Sequence, residues 1–310
     1  MRAAVEDNAA WALARPVLSV LIPFLRDDPA ALLRRLGEEA RSLGGAVEII
    51  VLDDGTGDSR LTEALGRSLA GTHLPARLIT LPANEGRARG RNRLTAAARG
   101  RWFLFLDSDM KPDRPDFLRA WMRLVEQERP AVAFGGFSLD QVPADPAFAV
   151  HRALSAASEC LPAGERAKAP EKYVYTSNLL VRRDVFEAEA FDPGFVGWGW
   201  EDVEWAMRVS RRFPIAHIDN PATHMGLDTA ADLARKYDQG AANFARVARL
   251  HPGIVRTYPS YRLARALKPV PGLPLQRRAL RRAAVGGVLP VPARAFALRL
   301  YRAAVYAGAL

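Results

Sequence analysis

Apolar residues recur along this chain in short unbroken runs and at helical spacing, and through the first third the two patterns alternate. Val-Leu-Ser-Val-Leu-Ile-Pro-Phe at 17–24 reads as a first buried strand ending at Pro23. A helix is predicted from about 28 to 43, with Asp27 or Asp28 as N-cap, Pro29 in its first turn and Gly44-Gly45 as its stop. A second strand at 47–52, a helix at 59–70, a short strand at 77–81, a basic helix at 86–99 and a strand at 101–106 follow. Strands alternating with helices imply βαβ units, a parallel sheet and right-handed crossovers.

After Met110 the rhythm changes. A helix at 115–128 and a strand at 131–134 are followed by prolines and charges with little periodicity, apart from a helix near 147–160. Residues 173–186 read as a strand leading into a helix. A Trp/Gly-rich loop at 194–200 opens a helix at 201–212, and a short strand at 215–218 and a helix at 229–250 follow. Prolines at 252, 259, 269, 271, 274, 290 and 292 then predict a wrapped tail with short helices.

With 310 residues, 49% of them hydrophobic, the chain can bury a substantial core. One cysteine, Cys160, excludes an intrachain disulfide framework and any multi-cysteine metal site, and fits a reducing cytosol. No apolar run approaches the roughly 18 residues of a spanning helix. Acidic Glu6 and Asp7, with no apolar h-region, argue against a secretory signal. The net charge of +10 is unevenly placed: 13 of the 44 basic residues lie beyond Asp238, where no carboxylate remains. The preceding 31 basic residues meet 34 acids, so the excess belongs to the tail.

Four stretches carry chemistry. Asp107-Ser108-Asp109 directly follows the strand at 101–106, where open α/β sheets gather ligands. Two carboxylates held there call for a cation, and hard oxygen ligands suit Mg2+ or Mn2+. Asp53-Asp54-Gly55-Thr56 ends the second strand at the same edge, where a carboxylate can accept from a base N–H or a ribose hydroxyl. Four arginines between 87 and 93 crowd a helix start, a good diphosphate site, although they cannot all face one ligand. Gly197-Trp198-Gly199-Trp200-Glu201-Asp202 joins stacking rings and close-approaching backbone to a carboxylate pair at a helix N-terminus, as a general base beside a sugar requires. His224 completes a metal site begun by Asp109, with His217 competing for that role.

Taken together, these residues resemble the family 2 glycosyltransferases of the GT-A fold, over roughly residues 17–227. Ser19-Val20-Leu21-Ile22-Pro23 is similar to the family's opening strand, and Asp53-Asp54-Gly55-Thr56 to its Asp-Asp-Gly-Ser turn. Asn84-x-Gly86 with Arg91-Asn92 is similar to its Asn-x-Gly…Arg-Asn segment, and Asp107-Ser108-Asp109 stands at its metal motif. The Gly197–Glu204 stretch and the following His224 resemble chondroitin-polymerase-like and β-galactosyltransferase-like members. Phe24-Leu25-Arg26 departs from the usual Tyr-Asn-Arg, and Thr56 replaces Ser.

The resemblance implies an α/β protein: a Rossmann-like, mostly parallel sheet flanked by helices, with a basic helical C-terminal extension. It divides the chain into a nucleotide-sugar-binding half at 1–110, an acceptor-binding half at 111–228 and the extension at 229–310. It implies a nucleotide-sugar donor, usually a UDP-sugar, and inverting transfer to a saccharide or glycolipid hydroxyl. Pro23, Asp53, Asp54, Asn84, Gly86, Arg91 and Asp107 would hold the donor. Asp109, Asp107 and His224 would hold Mn2+ or Mg2+. Trp198, Gly199 and Trp200 would bind sugars, and Asp202, with Glu201 as second choice, would be the base. A nucleotidyltransferase or a non-catalytic sugar-nucleotide-binding partner of a polysaccharide synthase is the competing reading.

The basic tail suits an anionic membrane surface, with Phe296, Leu300, Ala303 and Ala307 on one face of a helix at 293–310. A nucleic-acid partner is disfavoured, because no recognition fold or interleaved aromatics accompany the arginines. The expected location is cytoplasmic, peripheral on the inner membrane face.

Overall fold

The computed structural model describes residues 3–310. Its strands are β1 (Ala4–Asp7), β2 (Leu18–Phe24), β3 (Val47–Asp53), β4 (Ala76–Thr80), β5 (Trp102–Leu106), β6 (Met110–Pro112), β7 (Val132–Phe134), β8 (Phe137–Ser138), β9 (Asn178–Arg182), β10 (Ile215–His217) and β11 (Ala222–His224). Eight form one sheet in the order β1-β4-β3-β2-β5-β9-β7-β10, and β6-β11-β8 form a second. The centre of the large sheet, β4-β3-β2-β5, is parallel, whereas β9 runs antiparallel between β5 and β7.

Every position of β3 is buried, and so is all of β2 except Pro23, as continuous apolar runs between two helical layers require. Val20 and Ile22 pack with Leu33, Leu65 and Trp121 from helices Ala30–Ala40, Ser59–Ala70 and Phe117–Gln127. Leu21 points the other way, into a layer containing Leu94 and Trp205 from helices Arg87–Ala97 and Glu201–Val209. Glu48 is buried within β3 because Ser19 Oγ and Arg99 Nε donate to its carboxylate at 2.6 and 2.8 Å.

The parallel register brings the carboxyl ends of β2, β3 and β5 to one edge of the sheet. The small sheet then carries the second half of the chain to that edge. In its β6–β11 pairing His224 lies opposite Met110, one residue after Asp109. These three-residue strands are too short to leave a periodic signal, and β1 is likewise an unforeseen edge strand.

The C-terminal residues form helices Ala230–Gln239, Ala241–Leu250, Pro252–Val255, Pro259–Leu267, Leu273–Val285 and Val291–Ala309. Leu233, Tyr237, Phe244, Leu298 and Tyr306 share a buried cluster with Phe195 and Met207, so the extension is packed against the body. The helix expected at 229–250 breaks at Gly240, where the Trp198 carbonyl comes so close that an added Cβ would stand 3.1 Å away. The last helix also differs from expectation: Ala303 and Ala307 are buried, and of the proposed outer face only Phe296 is largely exposed, at 62%.

Candidate functional site

Beyond the ends of β2, β3 and β5 lies a cavity of about 530 Å³. Pro23 and Phe24 form part of its wall, with the loop Asn84-Glu85-Gly86 and the start of helix Arg87–Ala97 beside them. Asp107 and Asp109 border it, and Gly197 and Trp198 line it from the opposite half of the chain.

The carboxylates after β3 fold this wall. Asp53 is 1% exposed and lies beneath the cavity; it accepts from the Thr56 N–H at 2.8 Å and the Thr62 hydroxyl at 3.0 Å. Asp54 lines the cavity and accepts from the N–H groups of Glu85 and Gly86 at 2.8 and 3.1 Å and from Asn84 Nδ2 at 3.1 Å. Burial raises the Asp54 pKa, and those two backbone donors act against the rise. Gly55 makes the arrangement possible: its φ is +79°, and any Cβ there would collide with the Ala83–Asn84 backbone.

Arg91, expected to grip the diphosphate, is 2% exposed and spans two carboxylates. Its Nη2 donates to Asp107 Oδ1 at 2.8 Å, and its Nη1 lies 3.5 Å from Glu201 Oε1. Arg87, one helical turn earlier on the same face, is the arginine that reaches outward, half-exposed and 3.8 Å from Glu201. Desolvation opposes its charge, but Glu201, Asp107, Asp202 and Asp109 together outweigh that and raise its pKa. The i, i+4 spacing of 87 and 91 was the signal that separated this pair from Arg93, which is held at the surface by Glu85 at 2.5 Å.

Gly197 and Gly199 have positive φ, and so does Trp200 at +77°, an uncommon conformation for a bulky residue. Trp198 lines the cavity and contacts Tyr237, their ring centres 6.1 Å apart. Trp200, expected to stack on a sugar, does not line the cavity. Its Nε1 donates to the Tyr306 hydroxyl at 3.1 Å, and its ring packs on Phe244. Asn243 Nδ2 fastens the same loop by donating to the carbonyls of Gly199 and Val196 at 2.9 and 3.1 Å.

The loop delivers Glu201 and Asp202 into the first turn of helix Glu201–Val209. Their surroundings differ sharply. Glu201 is buried against Arg91 and Arg87, whereas among the described residues no arginine pairs with Asp202. Burial, then the neighbouring Glu201 charge, push the Asp202 carboxyl up to about 7.

Asp109 Oδ2 lies 3.2 Å from His224 Nε2, and both side chains remain a quarter or more exposed. Burial raises the Asp109 pKa and lowers that of His224; the hydrogen bond between them acts oppositely in each case and prevails. His217 is elsewhere, between Arg166 and the Pro170 carbonyl. Among the described residues no cluster of three His, Cys, Asp or Glu side chains is ready to enclose a metal ion. Mn2+ and Mg2+ do not demand one, since they usually keep water and substrate phosphates as ligands. Asp109, which lines the cavity, and the His224 imidazole 3.2 Å from it therefore fit Mn2+ as a partial donor set. Gly226 makes room for it: a Cβ there would strike Asp109 Oδ2. Asp27, expected only as an alternative N-cap, joins the site instead; Pro29 stands at the cap position, and Asp28 accepts from the Ala30 N–H at 2.9 Å. Asp27 lines the cavity, where burial and then Asp109 raise its pKa.

Residues 19–188, more than half of the chain, match the profile of Glycosyl transferase family 2, and the chain belongs to that family of glycosyltransferases. An 84-residue stretch is 42% identical to the succinoglycan biosynthesis protein ExoO of Rhizobium meliloti (strain 1021), covering 27% of this chain and 22% of that protein. The chain thus spans under a quarter of that relative's length. Among solved structures it is similar to the mannosyltransferase PcManGT from Pyrobaculum calidifontis in complex with GDP-Man and Mn2+. That likeness has a TM-score of 0.61 at 16% identity and covers 97% of this chain and 88% of the other. Residues 1–349 of S. aureus TarS give a TM-score of 0.52 at 14% identity over 94% of this chain and 89% of that one. These likenesses establish the GT-A fold, and the first takes in the C-terminal helices.

Proposed function

We propose that this glycosyltransferase is metal-dependent and inverting, and that it transfers a sugar from a UDP-sugar to a hydroxyl of a saccharide or glycolipid. One observation carries the reading: adjacent carboxylates at one helix start have different surroundings. Glu201 is held between arginines, whereas Asp202 has a proton affinity suited to a base near neutral pH. Complexes of two structurally similar proteins, with GDP-Man and Mn2+ and with UDP-GlcNAc, support a nucleotide-sugar donor. The likeness to ExoO supports a place in polysaccharide synthesis.

Residues 1–110 would bind the donor, 111–228 the acceptor, and 229–310 would brace the Trp loop. Pro23, Asp54, Asn84 and Gly86 shape the nucleotide wall, and Asp53 supports it from beneath. Arg87 takes the diphosphate, while Arg91 fixes Asp107 and Glu201. Asp109 and His224 would hold Mn2+ or Mg2+. When bound, that ion supplies charge neutralisation for the departing nucleotide. Trp198 would wall the sugar site; Gly199, expected there too, does not line the cavity and with Trp200 sets the loop. The acceptor hydroxyl oxygen bonds to C1 of the donor sugar as the C1–O bond to the diphosphate breaks. The electron pair leaves with UDP and the hydroxyl proton goes to Asp202 Oδ.

Incubation with a panel of nucleotide sugars and Mn2+ tests this, with slow release of free UDP expected even without acceptor. Release from no UDP-sugar, or equal release in the presence of EDTA, would overturn the proposal.

The basic extension adds a membrane-surface reading. No helix among the described residues is long and apolar enough to cross a membrane. Arg278, Arg281 and Arg282, with Val285 and Gly286, border a surface hollow of about 510 Å³ on helix Leu273–Val285. Beyond it Val288 is 96% exposed. Basic charge flanking an exposed apolar turn fits peripheral attachment to an anionic bilayer, which we place on the cytoplasmic face.

A further inference from the structure

Arg302 stands apart from the other arginines of the extension that touch the body. Arg246 is paired with Asp192 at 2.7 Å and Arg277 with Asp238 at 3.3 Å. Arg302 is partly buried, yet it makes no hydrogen bond or ion pair among the described residues; its guanidinium lies over the Tyr237 ring, 5.3 Å from the centroid. Its position is fixed from both sides. Tyr301 donates to Asp238 at 2.8 Å, and Tyr306 is stacked on Phe244 at 4.2 Å and receives the Trp200 indole N–H.

The surroundings connect Arg302 to the proposed acceptor side. Tyr237 also contacts Trp198 of the cavity wall. Burial opposes the Arg302 charge, while Tyr237, Tyr306 and Glu159 favour it. Glu159 nevertheless forms no ion pair with it, one of its oxygens accepting from the Ser155 hydroxyl at 2.5 Å. A guanidinium cannot shed its charge as a lysine can, and a ring face satisfies none of its five N–H donors. They stay open to solvent and to a bound anion.

We propose that Arg302 is the anion-recognising residue of the acceptor subsite, and that the acceptor carries an ionised carboxylate or phosphate near the hydroxyl to be glycosylated. The proposal rests on the assignment of Asp202 to the acceptor side. It makes the C-terminal helix a determinant of acceptor specificity, through a planar fork that matches carboxylate or phosphate oxygens two at a time.

Saturation-transfer NMR on the full chain, presaturated with UDP and Mn2+ so that the diphosphate site is filled, tests it. The probes are glucose, glucuronate and glucose 6-phosphate. Glucuronate or glucose 6-phosphate is expected to bind at least about tenfold more tightly than glucose, the factor a charged hydrogen bond carries, and the better of the two identifies the anion. Arg302→Gln should abolish that preference while UDP affinity stays unchanged; Arg302→Lys should keep part of it, which a merely structural role would not produce. Equal binding of neutral and charged sugars by the native chain, or a preference that survives Arg302→Gln, overturns the proposal. Failure to bind UDP at all would instead sink the donor reading, and the subsite with it.

Discussion

The Trp200 indole nitrogen donates to the Tyr306 hydroxyl at 3.1 Å, joining the residue before Glu201 to the last helix of the chain. The bond spans 106 positions, and it restrains a tryptophan whose φ is +77°. Tyr306→Phe should leave the indole N–H without its partner and cost about 1–2 kcal/mol in denaturant unfolding. Sugar transfer should fall as well, because Glu201 and Asp202 follow directly on that backbone. Unchanged stability and unchanged rate together would show that the extension does not brace the loop.

Glu201 and Asp202 should fail in different ways. Asp202→Asn is expected to lower transfer by about 10²–10⁴ while UDP and Mn2+ binding persist, the signature of a removed base. Glu201→Gln removes one of the two carboxylates on buried Arg91 and leaves Asp107 at 2.8 Å, so it should cost about 1–2 kcal/mol in stability, the scale of one charged hydrogen bond. Calorimetry alongside initial rates separates the two. If Asp202→Asn loses nucleotide binding instead, the base has been misassigned.

The raised Asp202 pKa fixes a pH dependence. As a base it must be ionised, so kcat/KM should climb as pH passes about 7, and Asp202→Asn should lack that limb. Its stability effect has the opposite slope. The folded chain retains a proton that an unfolded aspartate loses above about pH 4, so this residue's contribution declines from about pH 4 to about 7 and is flat above. A rate profile flat through neutrality, unaltered by the substitution, would contradict the assignment.

Much of residues 1–110 was legible because their strands are buried runs and the candidate site residues sit on the turns that end them. Leu52-Asp53-Asp54 and Leu106-Asp107 announce the sheet edge directly. Local patterning could not tell which side chains face outward. Asp53 turns under the loop, Arg91 becomes a strut and Arg87 the exposed cation, because Asp107 and Glu201, 94 residues apart, both claim the buried guanidinium. Trp200 was misread for the same reason: its partner, Tyr306, belongs to a helix whose packing only the folded chain reveals. The β6–β11 register, three residues long, is what places His224 beside Asp109.

Gly226 offers a test of that pair without changing either residue. Gly226→Ala places a Cβ against Asp109 Oδ2, so the carboxylate must rotate away from His224. Mn2+ titration of UDP release should show an apparent affinity weakened by about tenfold or more, in the range typical of disturbed ligand orientation. The fold should be retained, because Gly226 lies on an irregular segment after β11. An unaltered titration would remove Asp109 from the metal assignment.

Membrane attachment should depend on charge more than on insertion. The full chain should sediment with phosphatidylserine-containing vesicles at low ionic strength and be released as salt rises, since exposed charges are screened within about 10 Å at 0.1 M. Replacing Arg278, Arg281 and Arg282 by Glu should weaken binding by about a hundredfold or more, at about 1 kcal/mol per lost positive charge. Val288→Asp should reduce only the part that resists salt, because a single exposed valine contributes about 1.5–3 kcal/mol at most on burial. Neither change touches the cavity, so UDP release in solution should stay at the native rate. A chain that ignores anionic vesicles at low salt has no such surface, and its basic helices would then serve only to clasp the catalytic body.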